Sequence, residues 1–151
     1  MAIEKGARFE VSFDYAFPNG LMMMGEVAPD TDYQSGKQII DERTGKRQWK
    51  ISAADPAEVK ANRASFEVKF CADVQPVPET PELAPGTGVR MVELEGLAAE
   101  PRVKGQGEYK FLGYVFWASG FKAVKSGSGS GSSSAKAARA DAGADSSAKA
   151  A

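Results

Sequence analysis

Five side chains suited to meeting a polyanion fall in one short stretch: Arg43, Lys46, Arg47, Trp49 and Lys50. Arg102 and Lys104 add two more cations further along. Guanidinium and ammonium groups neutralise phosphates, and an aromatic ring offers a face on which a base can stack. These seven residues are therefore the candidate nucleic-acid contacts. A structural role competes with that expectation. Arg43, Lys46 and Arg47 would then form a solvated turn, and Trp49 would be a core residue, because a large aromatic on a strand usually buries.

Other chemistry lacks its parts. The chain has no histidine, which removes His-based triads, imidazole metal ligands and the commonest general base. Gly105-Gln106-Gly107-Glu108 lacks the Gly-Lys-Ser/Thr of a phosphate loop and reads as a hairpin turn. Glu93, Glu95 and Glu100 have no nucleophile or metal partner beside them, and Asp30, Asp32, Asp41 and Glu42 do not fit a calcium loop. The expectation is a binding protein rather than an enzyme, with no cofactor and no metal.

The elements that must position these residues are mostly strands. Phe9, Val11, Phe13 and Tyr15 alternate with polar residues, the period of a strand. Phe17-Pro18-Asn19-Gly20 is turn chemistry, and Leu21 to Val27 should return antiparallel, with Gly25 marking a bulge. Asp41 to Lys46 is a second turn. Arg47, Trp49 and Ile51 then share one strand face, and Gln48, Lys50 and Ser52 the other. Asp55-Pro56-Ala57-Glu58 has the order of a helix start, with Asp55 as cap, Pro56 in the first turn and Glu58 reaching back, which predicts a helix over 55–64. Phe66, Val68 and Phe70 should face inward, and Glu67, Lys69 and Cys71 outward. Gln75 to Gly88 is an extended, proline-rich connection. Tyr109 to Lys122 is dense in aromatics on both faces, as in a strand covered twice or one that meets a partner.

Six or seven strands around one short helix predict a mainly β fold. An OB-like, closed or nearly closed β-barrel fits best, because that fold sets a helix between its third and fourth strands and binds ligands on its strand face. A two-sheet β-sandwich is the alternative. Residues 1–125 form the folded domain. Residues 126–151 are rich in Ser, Gly and Ala, with no apolar face, and are expected to be disordered.

Composition sets the outer bounds. A 42% hydrophobic share over 151 residues suffices for one domain with a core. A formal net charge of −1 excludes a global basic field, so any nucleic-acid surface must be a local patch. The single cysteine, Cys71, excludes an internal disulfide and suits a small, buried thiol in a reducing compartment. The N-terminal residues lack the pattern of a signal peptide, and no apolar run approaches the roughly 18 residues of a membrane helix. The expected location is the cytoplasm, away from membrane.

An ordered series of short motifs runs between residues 9 and 121. It comprises Phe17-Pro18 with Gly20, Gly25-Glu26-Val27, Asp41 with Thr44-Gly45 and Trp49, Asp55-Pro56, and Val68-Lys69. Val74-Gln75-Pro76-Val77-Pro78, Val92-Glu93-Leu94-Glu95-Gly96-Leu97, Pro101, and Tyr114 with Ala118-Ser119-Gly120 complete it. In this series the chain resembles the replication activator (Pra) proteins of actinobacterial integrative plasmids. The resemblance implies an activator of replication, integration and excision of a mobile element. It brings no catalytic or contact residues, since the matching positions are mostly turns, prolines and apolar side chains. Three modes of action follow as expectations: a DNA-binding activator, a single-stranded DNA-binding accessory protein, and an adaptor for replication or transcription proteins that does not touch DNA.

Overall fold

The structure is a computed structural model and describes residues 2–123. The elements in chain order are β1 (Phe9–Glu10), α1 (Phe13–Ala16), β2 (Leu21–Pro29), β3 (Gln48–Ala54), α2 (Ala61–Ala64) and β4 (Ser65–Cys71). They continue with β5 (Val89–Val92), β6 (Leu94–Glu95), β7 (Ala98–Lys104), β8 (Phe111–Ala118) and β9 (Gly120–Phe121). The protein is mainly β. Seven strands form one sheet in the order β1-β7-β8-β4-β3-β2-β5, and β6 pairs with β9 in a second, two-stranded sheet. Every pairing in the large sheet is antiparallel except β4 with β8, which is parallel. The expected tail, 126–151, lies outside the described residues.

The large sheet does not close into a barrel, because its two ends, β1 and β5, do not pair. The first strand is shorter than alternation predicts, and it pairs with β7, while Leu21 to Val27 returns against β3 and β5 instead. The side chain of Ser12 accepts a hydrogen bond from the Tyr15 amide at 3.2 Å and turns the chain into α1. Alternation therefore gives way to helical spacing after Val11, and Phe13 packs against Phe17 with ring centroids 5.4 Å apart. Only Phe9 and Glu10 remain as strand, paired with Ala99 and Ala98.

A second correction concerns the helix expected over 55–64. Strands β3 and β4 pair without interruption from Gln48↔Cys71 to Ala54↔Ser65, so the intervening segment must return within one strand spacing. The Asp55 amide donates to the Ala64 carbonyl at 2.8 Å and closes that loop. Asp55 does act on the local backbone, its carboxylate accepting from the Ala57 amide at 2.9 Å, but it starts a turn. Helix is confined to Ala61–Ala64.

Other expectations match the fold. The β2 register shifts between Met24 and Ala28, around Gly25 at φ 79°, which is a bulge. Trp49, Ile51 and Ala53 face the core with Val68 and Phe70. Residues Leu21, Met23, Ile51, Val68 and Phe70 are the largest side chains fully removed from solvent. Met23 fills the core, and Met22 and Met24 are half-buried. Phe17 sits where α1 meets the sheet, against Phe66 and Phe116 at 5.9 and 5.1 Å.

Candidate nucleic-acid interface

The other face of the sheet is polar, and on it two of the predicted contacts, Lys50 and Arg102, stand beside carboxylates. Arg8 reaches over it from the N-terminal segment. Its guanidinium forks onto Asp41, at 2.6 Å to Oδ1 and 3.2 Å to Oδ2, and lies 3.5 Å above the ring of Trp117. Trp117 donates its indole N–H to Glu100 at 3.0 Å, and Arg102 donates to the other oxygen of Glu100 at 2.6 Å. Beside this chain, Gln48 and Lys69 both donate to Asp30, at 2.6 and 3.0 Å. Asp30, Asp41 and Glu100 are all buried, and each has a cation as partner.

Burial alone would push the Asp41 carboxyl up. The hydrogen bonds from Arg8 and from the Thr44 hydroxyl and amide outweigh it and bring the pKa down to about 2. Glu100 behaves similarly: burial opposes ionisation, but Arg102 and Trp117 hold the carboxyl below its ordinary range. Cys71 lies on this outer face, as alternation predicts, yet is buried there beneath Arg8, whose Nη1 is 3.9 Å from its sulfur. Burial is the main reason its thiol is pushed up. The network is a structural clamp, and Arg8 had no sequence signal that could have revealed it.

The seven predicted contacts do not form one surface. Trp49 is 7% exposed, packs in the core and donates its indole N–H to the Ala72 carbonyl at 2.9 Å. It is therefore a core residue and presents no stacking face. Lys50 lies mid-sheet, 3.7 Å from Glu67. Arg102 is tied to Glu100. Arg43, Lys46 and Arg47 are exposed at the turn before β3, with no ion pair among the described residues. Lys104 stands at the end of β7.

Around Lys104 the structure assembles residues that spacing did not connect. Strands β7 and β8 form a hairpin in register from Ala98↔Trp117 to Lys104↔Phe111. Gly105 opens its turn at φ 94°, where any side chain would meet the Tyr109 carbonyl oxygen. Alternation puts Tyr114 and Leu112 on the same face as the core residue Ala118 and the half-buried Phe116, but the hairpin outruns the core and leaves them in solvent. Tyr114 is 47% exposed, and Phe9, Tyr15, Val103, Tyr109, Phe111 and Leu112 are exposed as well. The aliphatic stem of Lys104 lies across Gly113, in space that a methyl group there would fill, and its ammonium donates to the Tyr114 carbonyl at 3.4 Å. Arg63, from α2, stands 5.6 Å over the ring of Phe111. Neither cation makes an ion pair among the described residues.

The strip was partly legible, since the aromatic density of 109–122 predicts a strand covered twice or one that meets a partner, and the exposed rings exclude the first for the hairpin end. Only the fold brings Phe9, Tyr15 and Arg63 to it. No group of three or more His, Cys, Asp or Glu side chains among the described residues is placed to hold a metal, and no described helix is long and apolar enough to cross a membrane. No family model, curated protein or solved structure matches the chain.

Proposed function

We propose that this protein is a non-enzymatic activator of replication, integration and excision of an integrative plasmid or similar mobile element, and that it acts by binding DNA in the cytoplasm. The mobile-element role follows from the resemblance to the plasmid activator family. The binding mode follows from one observation: exposed aromatic rings on the β7–β8 hairpin stand beside Lys104 and Arg63, two cations without a carboxylate partner among the described residues. Paired cations have their charge committed to the fold, whereas these can meet a phosphate. Open ring faces suit unpaired bases better than a duplex, whose bases already stack on one another.

The test is binding of the full chain to labelled single-stranded and duplex DNA across a salt series. Salt-sensitive binding that favours the single strand, and that weakens in Lys104→Glu with Arg63→Glu, is expected. Equal binding by that variant removes the hairpin from the function. If Arg43→Glu, Lys46→Glu and Arg47→Glu instead abolish binding, the turn before β3 is the contact surface.

A second reading has its own support. Val103 and Leu112 are cross-strand partners, and both are exposed. Aliphatic side chains in that position suit an adaptor for replication or transcription proteins better than a phosphate backbone. Folded protein that captures such a partner and shows no retention on DNA at low salt would establish the adaptor.

A further inference from the structure

Tyr114 is a shared wall between two hollows of different chemistry. The larger, about 670 Å³, is lined by Phe9, Val11, Tyr15, Ala99 and Phe116 as well as Tyr114, with Glu10 as its one charged lining residue. The smaller, about 330 Å³, holds Arg63, Lys104 and Phe111. Asp55 and Glu58 lie on its wall, where each accepts from a loop amide, Ala57 for Asp55 and Lys60 for Glu58. Tyr114 and Phe116 line both hollows. An apolar, aromatic groove thus adjoins a cation-bearing one, with the Tyr114 and Phe116 rings between them.

We propose that an unpaired nucleotide straddles Tyr114, its base in the apolar groove against Tyr114 and Tyr15 and its phosphate in the neighbouring hollow on Lys104 and Arg63. This deepens the DNA-binding reading and rests on it. A base presents a flat, weakly polar face and a phosphate presents charge, so the two halves of a nucleotide match the two hollows. The larger groove is within the range of small-molecule sites, roughly 300 to 1,000 Å³, and therefore has room for a base. The position of Lys104 is fixed by its bed on Gly113, and that of Tyr114 by its place in β8 opposite Pro101. Alternation sets Lys104 and Tyr114 on opposite faces of the hairpin, and the smaller hollow, which both of them line, brings phosphate site and base site together.

The two halves should fail differently. We would titrate the full chain and its variants against fluorescent oligothymidylate from low to high salt, with circular dichroism to establish folding. Tyr114→Leu should weaken binding by about tenfold while leaving the salt slope unchanged, because stacking releases no counterions. Tyr114→Trp should retain binding. Lys104→Ala should weaken binding most at low salt and flatten the slope by about 0.7, the value of one single-strand phosphate contact. An oligomer of the same length without bases should lose the Tyr114 dependence and keep the Lys104 dependence. If Tyr114→Leu binds as the wild type does, or if Tyr114 and Lys104 variants change the salt slope alike, the division is wrong although the protein still binds DNA. If folded wild-type protein binds no oligomer at low salt, the DNA-binding reading falls with it.

Discussion

Arg8 and Lys104 are both long cations lying beside an aromatic strand, and their surroundings differ in one respect. Arg8 has a buried carboxylate within reach, and 17% of its side chain sees solvent. Its charge is consumed in joining the N-terminal segment to the Asp41 turn and to Trp117. Lys104 has a glycine beneath its stem and a backbone carbonyl at its tip. Its charge remains available. Residue type therefore says little about role in this protein, and the partner decides it. The cations beside Asp30, Asp41 and Glu100 hold the sheet together, while those at the hairpin and at the turn before β3 face outward.

The largest test of this contrast is Asp41→Ala. It strands Arg8 over Trp117 with no counter-charge and should cost about 3 kcal/mol in urea unfolding, the usual scale for breaking a buried pair. Lys104→Ala should change the same measurement by less than about 0.5 kcal/mol. Equal losses would mean that the hairpin cation is also structural. Acid should act next. Asp41 titrates at about 2, below its ordinary 3.8, so the folded protein favours its charged form. Its contribution, about 2 kcal/mol, is complete above about pH 4 and is lost as the pH falls from about 4 to 2. Thermal unfolding across that window should show the loss, and the loss should be smaller in Asp41→Asn. A smaller effect, about 1 kcal/mol, is expected for Trp117→Phe, which keeps a ring under Arg8 but leaves Glu100 short of one donor. The smallest belongs to Val103→Thr on the open hairpin, where stability should stay within about 0.5 kcal/mol. A loss several times larger would mean that the hairpin face is covered by a second chain in solution, which sedimentation would detect.

Local patterns made much of the fold legible. Alternation identified the inward faces of β3 and β4, Gly25 marked the bulge, and the prolines of 75–88 marked a connection without strand. Two local signals gave way to stronger ones. The strand alternation of Phe9 to Tyr15 yielded to the Ser12 cap, and the Asp55-Pro56-Ala57-Glu58 cap pattern yielded to the paired ends of β3 and β4. Both failures begin with a short segment that has several acceptable conformations: the local Ser12 cap selects one in the first, and the pairing of β3 with β4 selects one in the second. The site was less legible. Proximity in sequence grouped Trp49 with its cationic neighbours, but strand alternation turns Trp49 into the core. Arg8 and Asp41, and likewise Arg63 and Phe111, meet only because the sheet folds them together.

The parallel pairing of β4 with β8 carries a consequence for how the chain is made. On one side β4 pairs with β3, the strand before it, and that hairpin can form as soon as Cys71 leaves the ribosome. Its other side belongs to β8, which arrives only after the proline-rich connection and the whole of β7 have been synthesised. Until then Val68 and Phe70 lie on a strand with an unsatisfied edge, the kind of surface that recruits stray strands. A ribosome that stalls between β4 and β8 would release a product prone to aggregate, and the danger ends when Phe111–Ala118 slots between β4 and β7.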